Sequence, residues 1–146
     1  MTRLLLLTHL VSTLFMVGLI WTIQVVHYPL FERVGLSAYP SYQAGHQWRI
    51  TLIVLPVMLV ELVSAVWLIF ERPSSIPTWL IWVGLGLLIL VWVSTVFIQS
   101  PLHGTLDRGF DRKTWLQLVN TNWIRTVAWS LRGGVAVWMI TLVMKT

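Results

Sequence analysis

Apolar residues run along the chain in four stretches long enough to cross a bilayer. Polar residues gather in the connections and at a few isolated positions inside the stretches. A hydrocarbon core of about 30 Å needs roughly 20 mostly apolar residues of helix. Leu4–Val26, Trp48–Phe70, Trp79–Ile98 and Trp123–Met144 meet that length and use most of the 146 residues. The pattern predicts an all-α membrane protein, a four-transmembrane-helix bundle forming a single transmembrane domain over 1–146. Met1, Thr2 and Arg3 before an apolar run imitate a signal peptide, but no small-residue cleavage site follows, so a retained first helix is expected.

The connections differ. Glu71–Thr78 is a short turn whose two prolines stop one helix and start the next. The other two connections each hold about twenty semi-polar residues, and alternating topology places both on one membrane face. Outside the spans that face carries Arg33, Arg108, Arg112 and Lys113, against Arg3, Arg72 and Lys145 opposite. So small a difference leaves the orientation open.

The halves of the chain resemble each other. His27 is followed nineteen positions later by His46 and then, after three more, by Arg49; His103 is followed at the same intervals by Asn122 and Arg125. Leu30 and Leu106 share this offset of 76, and Gln24 and Gln99 lie one position off it. The expectation is two like-oriented helical hairpins, repeat 1 over about 4–70 and repeat 2 over about 79–144, related by a pseudo-twofold axis along the membrane normal. Parallel repeats of this kind place functional sites at the repeat interface.

At 100° per residue, His9, Met16, Gln24 and His27 form one stripe, and Trp92, Thr95, Gln99 and His103 another. His46, Arg49, Glu61 and Ser64 share a broad side of the second helix; Asn122, Arg125, Trp129 and Arg132 share one side of the fourth. Polar stripes on membrane helices face the bundle interior. Rise along the helices separates two layers, one of His27, His46, His103, Arg49, Asn122 and Arg125 near the long-loop face, and a deeper one of Glu61 and Arg132. These last two are expected to form a buried ion pair, because either charge alone would cost a few kcal/mol or more at mid-bilayer.

Composition narrows the chemistry. Charged residues are 10% and hydrophobic ones 57%, which places the chain in the membrane class with the lipid bilayer as its main partner. There is no cysteine, so disulfides, thiolate metal sites and thiol redox chemistry are excluded. The net charge of +5 is scattered over helix ends and spans, so nucleic acid is not expected as a partner. Many of the ten tryptophans lie near span ends and fit interfacial anchoring.

What remains is a cluster of His27, His46 and His103. Three imidazoles can ligate a divalent transition metal or haem iron, or can act as general acids and bases. The spacing matches no zinc signature, and simple hydrogen bonding is the competing structural role. Arg49 and Arg125 form a symmetric cationic pair suited to clamping an anionic group, with snorkelling to lipid phosphate as the alternative. Gln24, Gln99 and Asn122 complete the candidate substrate-binding set.

The segments Gln24-Val-Val-His-Tyr-Pro-Leu-Phe, Tyr42-Gln-Ala-Gly-His-Gln-Trp-Arg, Gln99-Ser-Pro-Leu-His-Gly and Leu118-Val-Asn-Thr-Asn-Trp-Ile-Arg-Thr-Val-Ala-Trp together resemble a family of small uncharacterised bacterial four-helix membrane proteins. More distantly, the second hairpin is similar to the anthrone-oxygenase-like membrane family, with Trp115, Asn122 and Arg125 matching its fourth-helix pattern and Pro101-Leu-His103 departing from its Pro-x-Asn element. The resemblance implies a multi-pass protein of the bacterial inner membrane that oxidises a small hydrophobic substrate. Residues and resemblance together lead to an oxidoreductase or oxygenase-like enzyme acting on a small hydrophobic or anionic substrate near one membrane face. The alternatives are a small-solute or ion transporter along the same polar axis, and an accessory membrane subunit. A homo-oligomer is compatible with all three.

Overall fold

The structure, a computed structural model, describes residues 2–145. Its four helical runs are Thr2–Arg33, Tyr39–Phe70, Thr78–Leu106 and Arg112–Met144, each long and apolar enough to cross a membrane. Among the described residues there is no strand, and the chain is a multi-pass helical membrane protein. The first run comprises α1 (Thr2–Thr22), a π-helical turn (Ile23–His27) and a 3-10 turn (Pro29–Arg33). The second is α2 (Tyr39–Phe70); the third is α3 (Thr78–Ser94), a second π-helical turn (Thr95–Gln99) and α4 (Ser100–Leu106); the fourth is α5 (Arg112–Met144).

The helices outrun the apolar stretches. Tyr39–Gln47 and Arg112–Asn122, both outside the apolar stretches, are continuous with the spans behind them, and the second is the lead-in to the fourth span for which Asp111 suits an N-cap. Propagation from an existing helix adds one hydrogen bond per residue fixed, so a semi-polar lead-in extends readily. Asp111 starts α5 as an N-cap, its carboxylate accepting from the Thr114 backbone N–H at 2.8 Å and from the Thr114 hydroxyl at 2.6 Å. Those bonds hold the exposed Asp111 carboxyl below the usual carboxylate range. A 32-residue helix is about 48 Å long, so the long-loop ends project well past the hydrocarbon core.

Each span packs against its chain neighbour, and the first also packs against the fourth, which closes a ring. First and third spans, and second and fourth, face each other across the diagonals. Gly133 permits the close approach of α5 to α1, where an added Cβ would come within 3.1 Å of the Val17 side chain, and Gly84 meets the Val135 side chain of α5. Gly86 and Gly134 face open space.

Both π turns precede a proline, Pro29 and Pro101, by one intervening residue. Proline lacks an N–H and crowds the preceding turn, and the wider turn is where each helix absorbs that defect. The Tyr28 N–H reaches back to Ile23 O at 2.9 Å, and the Ser100 N–H makes the equivalent bond to Thr95 O. These local features repeat with an offset of 72, not the 76 that pairs His27 with His103. At the level of the backbone, His27 therefore corresponds to Gln99, and the matched histidines of the sequence repeat occupy different local positions.

The interior has two polar layers. In the deeper one Arg132 Nε donates to Glu61 Oε1 at 3.0 Å, and both side chains are buried. Trp129 Nε1 donates to Glu61 Oε2 at 3.0 Å, and Arg132 Nη1 donates to the Gly84 carbonyl. Beside them Ser64 Oγ pairs with His9 Nδ1 at 2.9 Å. Glu61 and Arg132 come from diagonally opposed helices, so the pair bridges the bundle centre. Met16, Ile20, Met58, Val91 and Trp129 belong to a buried apolar cluster that lies between this layer and the one above. Leu6, Leu68, Ile76, Leu80, Ile81 and Met139 fill the end near the short turn.

Removing one partner of the pair leaves an uncompensated buried charge. Glu61→Gln or Arg132→Met alone should destabilise by roughly 3–5 kcal/mol, and the double replacement by less than either single one. A thermal-unfolding double-mutant cycle in detergent checks this, and zero coupling would contradict the bridge.

Candidate functional site

The upper layer is built from all four spans at their long-loop ends. The first π turn and the residue after it supply Gln24, His27 and Tyr28; α2 supplies Gln43 and His46; the third span supplies Thr95, Gln99 and His103; α5 supplies Asn122, Arg125 and Thr126. One continuous network joins most of them. Gln24 Nε2 donates to the Val119 carbonyl at 3.1 Å, and its Oε1 accepts from Asn122 Nδ2 at 2.8 Å. Asn122 Oδ1 accepts from Arg125 Nε at 2.9 Å, and Arg125 Nη2 donates onward to the Tyr28 hydroxyl oxygen at 3.2 Å. That hydroxyl lies 2.9 Å from His103 Nε2, while Gln43 Nε2 lies 2.8 Å from His103 Nδ1.

The chemistry of the donors orients the protons. Gln43 and Tyr28 each hold one His103 nitrogen, so the way the Gln43 amide faces decides the ring tautomer and the direction of the Tyr28–His103 bond. The Tyr28 oxygen also accepts from Arg125.

Tyr28 lines a cavity of about 300 Å³ between the second and third spans. His103 and Arg125 line its inner end; Ile50, Val54, Met58 and Val96 line its sides. Its rim includes Thr51, Leu55 and Val96, all exposed on membrane-facing surface, so the cavity opens sideways towards lipid. Trp92 also lines it and has no partner for its buried Nε1–H. The lining contains no Asp, Glu or Lys.

The three sequence-selected histidines gather at one end of the bundle but do not converge on a point. His27 Nε2 bonds to His46 Nδ1 at 2.8 Å, and His46 packs on His103 at a ring-centroid distance of 5.6 Å. The Phe31 ring lies against all three. Metal ligation needs imidazole lone pairs aimed at a common centre. Here the His27–His46 bond takes up one imidazole lone pair, His46 Nε2 is buried without a partner, and both His103 nitrogens are engaged by Tyr28 and Gln43. Among the described residues no group of three or more His, Asp or Glu is arranged to hold a metal ion. The expected three-histidine metal set of His27, His46 and His103 is therefore corrected to a hydrogen-bonded imidazole pair beside a separate imidazole held by Tyr28 and Gln43.

Arg49 is a second correction. It is exposed, reaching only the Gly45 carbonyl of its own helix at 3.3 Å, while Arg125 is buried. On α2 the buried positions Tyr39, Gln43, His46, Met58, Glu61, Ser64, Ala65 and Leu68 fall within an arc of about 120°, and Arg49 lies roughly 60° outside it. The cationic pair is not assembled; Arg125 acts alone. Gln99 is buried with its Oε1 accepting from Ser94 Oγ at 2.9 Å, and it also lines the cavity.

Sequence reasoning placed Trp92 on an inward stripe but missed Gln43. Its available signal was position, three residues before His46 on the same helix face. The fold and site together define a multi-pass helical membrane protein with a polar network beside a laterally open cavity. Compared with family models, curated proteins and solved structures, the chain matches none.

Because no histidine set converges, protein purified without chelator should carry far less than one equivalent of transition metal. EDTA should leave its melting temperature unchanged. Stoichiometric metal that disappears in His27→Ala would restore the three-histidine centre.

Proposed function

We propose that the chain is a membrane-embedded enzyme of oxidoreductase or oxygenase type, acting on a small lipophilic substrate drawn sideways from the bilayer. The observation that carries this reading is the contact between a cavity of about 300 Å³ and the Arg125–Tyr28–His103–Gln43 chain. Cavities of this size with apolar walls and a few convergent polar groups are the usual form of small-molecule sites. Tyr28 and His103 are placed to exchange a proton with a bound substrate, with Gln43 fixing the His103 tautomer and Asn122 fixing the Arg125 fork. The resemblance implies dioxygen as oxidant, and a substrate that gives up a proton at this site could then pass its electrons to dioxygen. No resident metal enters these steps.

Transport along the axis has less support. Buried Met16, Ile20, Met58 and Val91 separate the polar layers, and a solute pathway needs a continuous polar route.

Purified protein in nanodiscs, given a panel of lipophilic phenols and enols in air, should consume oxygen with at least one of them. Tyr28→Phe and His103→Ala should each lower that rate by about 10²-fold or more, in line with removal of a general acid–base group. Turnover that survives both changes would refute the assignment.

A further inference from the structure

Two arginines are buried in this bundle, and their surroundings differ in one respect. Arg132 faces the Glu61 carboxylate, whereas Arg125, 6% exposed, has only neutral partners in Asn122, Tyr28 and Thr95. Among the described residues no carboxylate lies within ion-pair distance of Arg125. Hydrogen bonds orient a guanidinium but do not neutralise it, and an unpaired charge in a low-dielectric interior is disfavoured. Arg125 also lines the cavity, so a bound molecule can supply the missing charge.

The polar hydrogens point the same way. The Trp92 N–H lacks a partner, and the Tyr28 hydroxyl beside Arg125 lines the same cavity. With no carboxylate in the wall, nothing there favours a cationic head group. The side walls of Ile50, Val54, Met58 and Val96 fit a hydrocarbon body.

We infer that the cavity binds a lipophilic monoanion, its charged oxygen on Arg125 and Tyr28 and its apolar body between the second and third spans. This rests on the cavity being the substrate site and narrows its substrate to lipophilic molecules with one acidic oxygen, held there as the anion. Charge-assisted bonds from a guanidinium to an oxyanion are the strong ones, and exclusion of water strengthens them.

Decanoate, decanol and decylamine share one chain length and differ in head group, so they serve as probes. Equilibrium dialysis against the full chain in neutral-lipid nanodiscs should show decanoate bound at least about tenfold more tightly than either of the others. Arg125→Gln should abolish the preference. Val54→Trp, which fills the cavity without touching the network, should abolish binding of all three. Each variant is first checked for a parental melting temperature; if Arg125→Gln fails to fold, Tyr28→Phe takes its place and should lower decanoate binding while leaving decanol unchanged. Equal binding of decanoate and decanol, a preference that survives Arg125→Gln, or no decanoate binding by the folded parent would each overturn the inference. Selective decanoate binding without turnover of any acid would leave the anion site standing and remove the enzyme reading. Turnover of neutral substrates without decanoate selectivity would do the reverse.

Discussion

A bilayer offers no water to satisfy a buried charge, and the organisation of this bundle follows from how it meets that constraint. Glu61 and Arg132 reach across the diagonal from the second and fourth spans, which otherwise pack only through their neighbours. Trp129 and the Gly84 carbonyl take up further hydrogen-bonding capacity, so the pair is neutral overall and closely held. A diagonal bridge of this kind favours one rotational setting of both helices. It thereby helps to aim the residues about two to five turns away on the same faces, Gln43 and His46 on α2 and Asn122 and Arg125 on α5.

The upper layer is organised differently. Its donors and acceptors are mostly neutral, and they form a chain rather than a closed pair. It lies where the helices emerge from the apolar core, and where the second and third spans leave a cavity of about 300 Å³ between them. The buried apolar layer below it isolates its electrostatics from the Glu61–Arg132 pair. One fold thus carries a compensated charge that fastens the helices and an uncompensated one beside a space for a ligand.

The π-helical turns matter because each changes the register of a span partway along its length. They allow Pro29 and Pro101 to sit within long helical runs, and the first also carries Gln24 and leads directly into Tyr28. Tyr28 accordingly points inwards, hydrogen-bonded at its hydroxyl, while its carbonyl accepts from Trp115 Nε1 at 2.8 Å. Wide turns at proline sites recur where proteins re-aim a functional side chain.

Much of this was legible in the chain itself. Four apolar lengths set the number of spans, because the thickness of a bilayer is a fixed ruler and few other structures satisfy the backbone within it. The scarcity of charge inside those lengths also pointed to Glu61 and Arg132 as partners, since neither is tolerable alone at such depth. Helical phase brought Gln24, His103, Asn122 and Arg125 inwards. Only the tertiary structure decided where the side chains ended. Arg49 shares spacing with Arg125 but lies just outside the buried arc of α2, and a phase estimate over one broad side does not resolve that difference. The imidazoles were brought near one another as expected, but the direction of each nitrogen depends on neighbours from other spans, Gln43 and Tyr28 among them. Periodicity reports which face of a helix is buried; which atoms meet there depends on helix rotation, on the π turns and on contacts between residues distant in sequence, and these are set only when the four spans pack.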